Sequence, residues 1–318
     1  MTSKYNFAWG DPVGIRQVLV SVYPELKLPW FNPEDMGYGQ HQGDDSLIAA
    51  IRQGLKQDYA HILITTGCSQ AIQAALYALK TDLHSKVRTR SLYFPFYPKM
   101  IEVSGLTRNT RTEDPTDILL WDVPSNPLGM VNFPLVQNPT ILDLSYMSDT
   151  YLAKPITTPK ATVAVGSLGK LTGMTGLRLG FLATDSDSLY LKAYDRVCFD
   201  SIGAPAVGQK TIAKILSDQD RWMFFTARSK AMVDSNRYEI SRLSYLFDWQ
   251  EIPENGMFAF FSSSPRVGRI FEKASVAWTS GLDCGADYYS MRFNLSRTNI
   301  ETRNMVNQVL KIDKNSVK

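Results

Sequence analysis

The sequence predicts an α/β protein: a mostly parallel sheet with helices on both faces, followed by a smaller α+β domain. Three observations predict it. Short apolar runs recur at 61–65, 91–94, 118–122, 140–144, 161–167 and 179–184, apolar on both faces as strands covered on both sides are. Segments of helical spacing precede and follow the first of these runs. After Asp195 the pattern turns to long helical stretches and a few later strands, which suits a second, α+β unit.

In order along the chain, residues 1–36 form an aromatic, proline-punctuated arm that carries Tyr5, Phe7, Trp9, Pro12, Pro24, Pro29, Trp30 and Pro33. A helix fits 13–22, and Gly10-Asp11-Pro12 reads as a turn before it. Such an arm has little core of its own and is expected to pack on the later domain or on a partner subunit. From Tyr38 the pattern becomes regular. Asp45 can cap a helix whose Leu47, Ile48, Ile51 and Leu55 recur at helical spacing. The strand 61–65 runs into Thr66-Gly-Cys-Ser69 and a helix over 70–79 with Ile72, Ala75, Leu76 and Leu79 on one face. Strand, small-residue turn and helix make an anion-binding arrangement, because free amides and the helix N-terminus point at the turn. The loops after 91–94 and 118–122 belong to one rim, where ligands of open α/β sheets gather. Helices follow at 207–216 and from Asp220 to about Leu246, strands at 276–280 and 290–296, and a closing helix at 299–312. The expected division is an arm at 1–36, a large domain at 37–205 and a small C-terminal domain at 206–318.

Composition excludes several classes. The 318 residues carry a net charge of +3, with 44% hydrophobic and 11% aromatic residues, as ordinary globular proteins do. No block of like charge suggests a nucleic-acid or membrane surface, and no apolar run approaches a membrane span. Cys68, Cys198 and Cys284 give no disulfide framework, which points to a reducing, cytoplasmic setting. His41, His61 and His84 do not cluster with them at metal-ligand spacing, so no metal is expected.

The chemistry centres on Gly166-Ser-Leu-Gly-Lys-Leu-Thr-Gly-Met-Thr-Gly-Leu-Arg-Leu-Gly-Phe181. Lys170 lies in a loop of small residues and Arg178 follows eight positions later. A lysine amine forms imines with aldehydes, and an arginine fork suits a phosphate. An aldehyde and a phosphate in one molecule describe pyridoxal 5'-phosphate (PLP). Alone, the stretch also reads as a surface loop with two solvated cations.

The rim loops together decide between those readings. Gly10-Asp11-Pro12, Tyr38 with Gly43, Gly67-Cys-Ser-Gln-Ala71, Pro95-Phe-Tyr97, Asn126-Pro-Leu-Gly129, Asp143-Leu-Ser-Tyr146, Ser167-Leu-Gly-Lys170 with Arg178, and Arg292 within Ser-Met-Arg-Phe-Asn-Leu resemble the motifs of the fold-type I PLP enzymes, the aspartate aminotransferase superfamily. Within it, residues 167–181, Asp200-Ser-Ile-Gly203, Cys284-Gly285 and Leu295-Ser-Arg297 resemble the alliinase and tryptophan–pyruvate aminotransferase group. The resemblance runs from about Phe7 to Leu310 and implies a mostly parallel, seven-stranded-type sheet. It implies that Lys170 holds the cofactor and shuttles the proton, that Asp143 keeps the ring nitrogen protonated, and that Asn126 and Tyr146 bond its 3' oxygen. Cys68, Ser69, Ser167 and Arg178 would hold the phosphate, Cys68 by its backbone amide. Tyr97, or Phe96 if the register differs, would stack on the ring. Tyr38 would reach the phosphate of the neighbouring subunit in a homodimer. Gly10, Asn126 and Arg292 would take the substrate carboxylate. One departure is visible: residues 131–140, with Pro134 and Pro139, leave no room for a helix usual there, and the chain is short for the family.

The expected function is a PLP-dependent aminotransferase moving an amino group from an L-amino acid to a 2-oxo acid. A carbon–sulfur lyase or a decarboxylase on the same cofactor is the alternative, and a non-catalytic binding module a third reading that intact Lys170, Asp143 and Arg178 oppose. Tyr5, Phe7, Trp9 and Trp30 make an apolar or aromatic substrate side chain attractive.

Overall fold

The computed structural model describes residues 3–27, 37–55, 57–110, 113–134, 137–248 and 252–316; Pro29, Trp30 and Pro33 of the arm lie outside the described residues. The chain opens with a short strand β1 (Tyr5–Asn6), helix α1 (Val13–Val22) and helix α2 (Asp45–Leu55). Strand and helix then alternate: β2 (His61–Thr65), α3 (Gly67–Leu79), β3 (Lys86–Arg88), α4 (Tyr97–Val103), β4 (Thr107–Asn109), β5 (Ile118–Asp122), β6 (Thr140–Asp143), β7 (Val163–Ser167), α5 (Leu168–Thr172) and β8 (Gly180–Thr184). Three helices follow, α6 (Asp187–Ser201), α7 (Ala206–Ser217) and α8 (Gln219–Ser241). The rest comprises β9 (Phe258–Phe261), α9 (Pro265–Lys273), β10 (Val276–Ala277), β11 (Thr279–Ser280), β12 (Met291–Asn294) and α10 (Asn299–Ser316).

The main sheet has seven strands in the order β2-β8-β7-β6-β5-β3-β4. All neighbours are parallel except β8, which runs antiparallel to β2 and to β7. Successive side chains of a strand face opposite sides. Leu63, Ile141, Val163, Val165 and Leu182 accordingly pack with α3, α4 and α6 on one face. Ile62, Ile64, Leu142, Ala164 and Phe181 pack with α2 and α7 on the other. Burial on both faces explains why these strands carry no polar alternation.

A separate core gathers the arm and the C-terminal elements: Tyr5 and Phe7, Ile15 and Leu19 of α1, Phe225 and Val233 of α8, Phe258 and Phe261 of β9, Phe293 of β12, and Met305 and Val309 of α10. β1 pairs in parallel with β10, Tyr5 opposite Val276, so the arm is stitched to the C-terminal unit by backbone as well as by side chains. A three-stranded antiparallel sheet, β11-β12-β9, lies in this unit.

Two local expectations are corrected. Residues 91–94 are no strand; the strand falls earlier, at β3, and the Tyr93 N–H is taken by the Cys284 carbonyl at 3.0 Å instead of by a sheet neighbour. The next residues turn straight into α4, whose first turn holds Pro98, a position where a missing N–H costs nothing. Helix α6 begins at Asp187, before the composition change at Asp195, because Ser186 caps it by accepting the Leu189 N–H at 3.3 Å.

Candidate active site

The rim of the sheet is set by strand direction. β2 and β7 end at Thr65 and Ser167, and antiparallel β8 begins between them at Gly180. β5 and β6 end at Asp122 and Asp143, which are register partners. The loops that carry Cys68 and Ser69, Asn126, Tyr146, and Lys170 with Arg178 therefore meet at this edge.

Helix α3 starts directly after β2, and its Thr66 cap makes no side-chain hydrogen bond to the first turn. The turn is seated on β8: a Cβ at Gly180 would lie 2.5 Å from the Cys68 backbone nitrogen, so only glycine lets the two approach. The Arg178 guanidinium sits over the turn from the other side, with Nη2 2.8 Å from where a Gly67 Cβ would be. A helix N-terminus of 13 residues, an arginine fork and the half-buried Ser69 thus converge, as an anion needs. Ser167 caps α5 by accepting the Lys170 N–H at 3.4 Å, which fixes where the lysine leaves the backbone.

Lys170 extends to the arm, where its Nζ donates to the Gly10 carbonyl. Burial lowers its pKa to about 8; Asp11 opposes the shift, and Arg292 and Arg178 add to it. The Tyr151 hydroxyl donates to the Lys170 carbonyl at 3.0 Å and steadies the segment from below. Tyr151 was not singled out from sequence, and Asp11 was read only as part of the Gly10-Asp11-Pro12 turn.

Asp143 is buried and accepts the Tyr97 hydroxyl on Oδ2 at 2.8 Å, the Ser145 N–H on Oδ1 at 2.9 Å, and the Cys68 thiol at 3.6 Å. Burial pushes the Tyr97 phenol well up, with Asp143 adding, so it stays a donor. Phe96 is exposed, and Tyr97 is buried against Asp143. Asn126 is fully buried: its Nδ2 donates to the Tyr146 hydroxyl at 3.4 Å and its Oδ1 accepts Arg292 Nη1 at 2.9 Å.

Arg292 reaches this group from β12. Its fork donates to Asn126, to the Ala8 carbonyl at 3.3 Å and to the Thr279 hydroxyl at 3.0 Å, and stacks 4.2 Å over Phe258. All these acceptors are neutral. Nε has none, and among the described residues no carboxylate pairs with this buried cation. Burial accordingly lowers its proton affinity. A buried guanidinium without a counter-ion is costly unless an anion completes it.

The structure therefore brings together Lys170, Gly10, Asn126, Asp143, Tyr146, Tyr97, Cys68 and Arg292, with Ser69, Ser167 and Arg178 at the adjoining turn. Tyr38 stands apart, 88% exposed. The residues present fit PLP: an amine of lowered proton affinity, a buried carboxylate for a ring nitrogen, and a cradle closed by Arg178 for a phosphate.

A large mixed sheet carrying this rim defines a fold-type I PLP-enzyme architecture. An aspartate aminotransferase double mutant from Thermus thermophilus superposes with a TM-score of 0.78 at 16% identity, over 98% of this chain and 92% of that one. An aromatic aminotransferase from Pyrococcus horikoshii superposes with a TM-score of 0.77 at 16% identity, over 98% and 96%. Residues 143–309 match the aminotransferase class I and II family, and the chain belongs to it. Members of that family use pyridoxal phosphate. Tryptophan aminotransferase-related protein 2 of Arabidopsis thaliana is 31% identical over 169 residues, 49% of this chain and 38% of that protein. Tryptophan aminotransferase-related protein 1 of Oryza sativa subsp. japonica is 30% identical over 172 residues, 50% of this chain and again 38% of the relative. The match thus spans well under half the length of these plant proteins.

Proposed function

We propose that this chain is a PLP-dependent aminotransferase that moves an amino group from an L-amino acid to a 2-oxo acid. The observation that carries the reading is Lys170, an amine with a pKa of about 8, sharing one rim with the buried Arg292 that has no carboxylate partner among the described residues. When bound, PLP supplies an aldehyde for an amine and a protonated ring that draws electrons from the substrate's Cα.

The protein's residues do the rest. The α3 N-terminus, Ser69, Ser167 and Arg178 anchor the phosphate. The Asp143 carboxylate, held by Tyr97, Ser145 and Cys68, would face the ring nitrogen, while Asn126 and Tyr146, bonded to each other, would bond the phenolic oxygen. Arg292 and Asn126 orient the substrate carboxylate, with the arm at Gly10 closing over it. Lys170 Nζ would take the proton from the substrate's Cα and return it at the cofactor's C4', two bonds away. That task needs an amine that is free at working pH, and burial provides it.

An aromatic amino acid is the substrate class we favour. The names of the plant relatives support it, and so does Trp9, 71% exposed between the carbonyls that bond Arg292 and Lys170. We read the assembly as a homodimer in which Tyr38 reaches the partner's phosphate site, in a reducing compartment that leaves the three free cysteines unpaired. Among the described residues no helix is long and apolar enough to cross a membrane.

The test is a panel of L-amino acids with PLP-loaded protein and several 2-oxo acids. Transamination makes a new 2-oxo acid and a new amino acid in equal amounts. Release of ammonia or carbon dioxide in place of the second product would sink the reading.

A further inference from the structure

We propose that Arg90 and Asp122 are positioning residues: a buried ion pair that clamps the loop carrying Asn126 and so sets how Asn126 meets the cofactor. The inference rests on the aminotransferase reading above.

Asp122 ends β5 as the register partner of Asp143, so two buried carboxyl groups stand side by side at the rim. Asp143 faces the cofactor site; Asp122 faces the loop. Its Oδ2 accepts the Asn126 N–H at 2.6 Å, and its Oδ1 lies 3.3 Å from Arg90 Nε, a charge contact more than an aligned hydrogen bond. The Arg90 side chain, 8% exposed, donates through Nη2 to the Asp122 carbonyl at 3.2 Å and to the Asn132 carbonyl at 3.1 Å. Its guanidinium stacks 4.0 Å over Trp121. Arg90 thus ties the loop's entry to its exit, ten residues apart. Inside that bracket Asn126 spends its amide on Arg292 and Tyr146. Among the described residues neither member of the pair bonds Lys170 or Arg292, and the hydrogen bond that links the pair to the site is the Asn126 N–H on Asp122.

The electrostatics agree with the geometry. Burial raises the Asp122 pKa to about 7 and Asp143 adds to the rise, while the Asn126 N–H and Arg90 oppose it. Without Arg90 the carboxyl takes a proton and weakens as the anchor of Asn126. The groups that bear on Arg90 are Asp122 and Tyr97; those that bear on Lys170 are Asp11, Arg292, Arg178 and Cys68. Arg88 and Arg108 line a cleft of about 390 Å³ with Arg90, and Arg88 pairs with Glu113 at 2.8 Å, away from the loop. Arg88 is therefore the control.

The readout is the pH at which the visible absorption band of PLP-loaded protein changes, which depends on the hydrogen bond that Asn126 gives the phenolic oxygen. Arg90→Gln should raise this midpoint by about one pH unit, a tenfold change in proton affinity. Arg90→Lys, which keeps the charge but loses the fork, should shift it partway, and Arg88→Gln should leave it unchanged. An unchanged midpoint in loaded Arg90→Gln, or an equal shift in Arg88→Gln, overturns the role. Should Arg90→Gln not fold, Arg90→Lys carries the same two outcomes. If the unmodified protein takes up no PLP, the aminotransferase reading fails and not the positioning role alone.

Discussion

Lys170 joins the arm to the sheet, and its proton affinity is the property that chemistry requires. An exposed lysine amine is almost fully protonated at neutral pH and a poor nucleophile. Burial lowers the Lys170 pKa from 10.5 to about 8, which frees a usable fraction. Capture of PLP by the apoprotein should therefore speed up about tenfold per pH unit below pH 8 and level off above it; a rate that climbs to pH 10 would show an ordinary lysine. Stopped-flow absorbance follows this directly, and Lys170→Ala should form no imine, leaving only the absorption of the unreacted aldehyde. Stability changes in the same window. The unfolded chain binds more protons than the folded one between about pH 8 and 10.5, so the apoprotein gains stability as pH rises through that range.

At the scale of elements, the site depends on the phosphate turn being seated on β8. Gly180 permits this, because a methyl there would meet the Cys68 backbone nitrogen at 2.5 Å and backbone cannot step aside cheaply. Gly180→Ala should lower PLP affinity and cost roughly 1–3 kcal/mol of stability, as overpacking does; unchanged affinity by absorbance titration would mean the turn is not seated as described. Much of this was legible in sequence. The strands at 61–65 and 118–122 and the helix at 13–22 coincide with β2, β5 and α1, because uninterrupted apolar runs and helical spacing reported burial directly. The antiparallel sense of β8 was not legible, since a strand buried on both faces looks the same in either direction. Residues 91–94 misled because Tyr93 and Phe94 are buried or partly buried by packing outside the sheet. The resemblance to the fold-type I PLP enzymes brought Lys170, Asp143, Asn126 and Arg292 to one place on paper. The supporting residues Asp122 and Arg90 left no such trace, since a lone acid at a strand end and a lone arginine carry no spacing to notice.

Among the described residues, exposed apolar side chains gather near the end of α6. Tyr38 is 88% exposed, Phe199 89% and Ile202 53%. They form one neighbourhood: the stretch from Gly39 to His41 runs against Gly203 and Ala206, directly after the end of α6. Exposed aromatic and aliphatic side chains gathered in this way mark an interaction surface. A second copy of this chain is the occupant consistent with the homodimer proposed above, and it would give Tyr38 a phosphate to bond. The two roles separate by mutation. Phe199→Glu places a charge in the surface, so it should yield monomers by light scattering and, by withdrawing the partner's Tyr38, weaken PLP binding. Tyr38→Phe should leave the dimer intact and lose only the hydroxyl's hydrogen bond to a charged group, about 1.5–3 kcal/mol, or roughly ten- to a hundredfold in PLP affinity. A Phe199→Glu monomer that binds PLP as tightly as the unmodified protein would remove Tyr38 from the site and leave each chain with a complete cofactor cradle of its own.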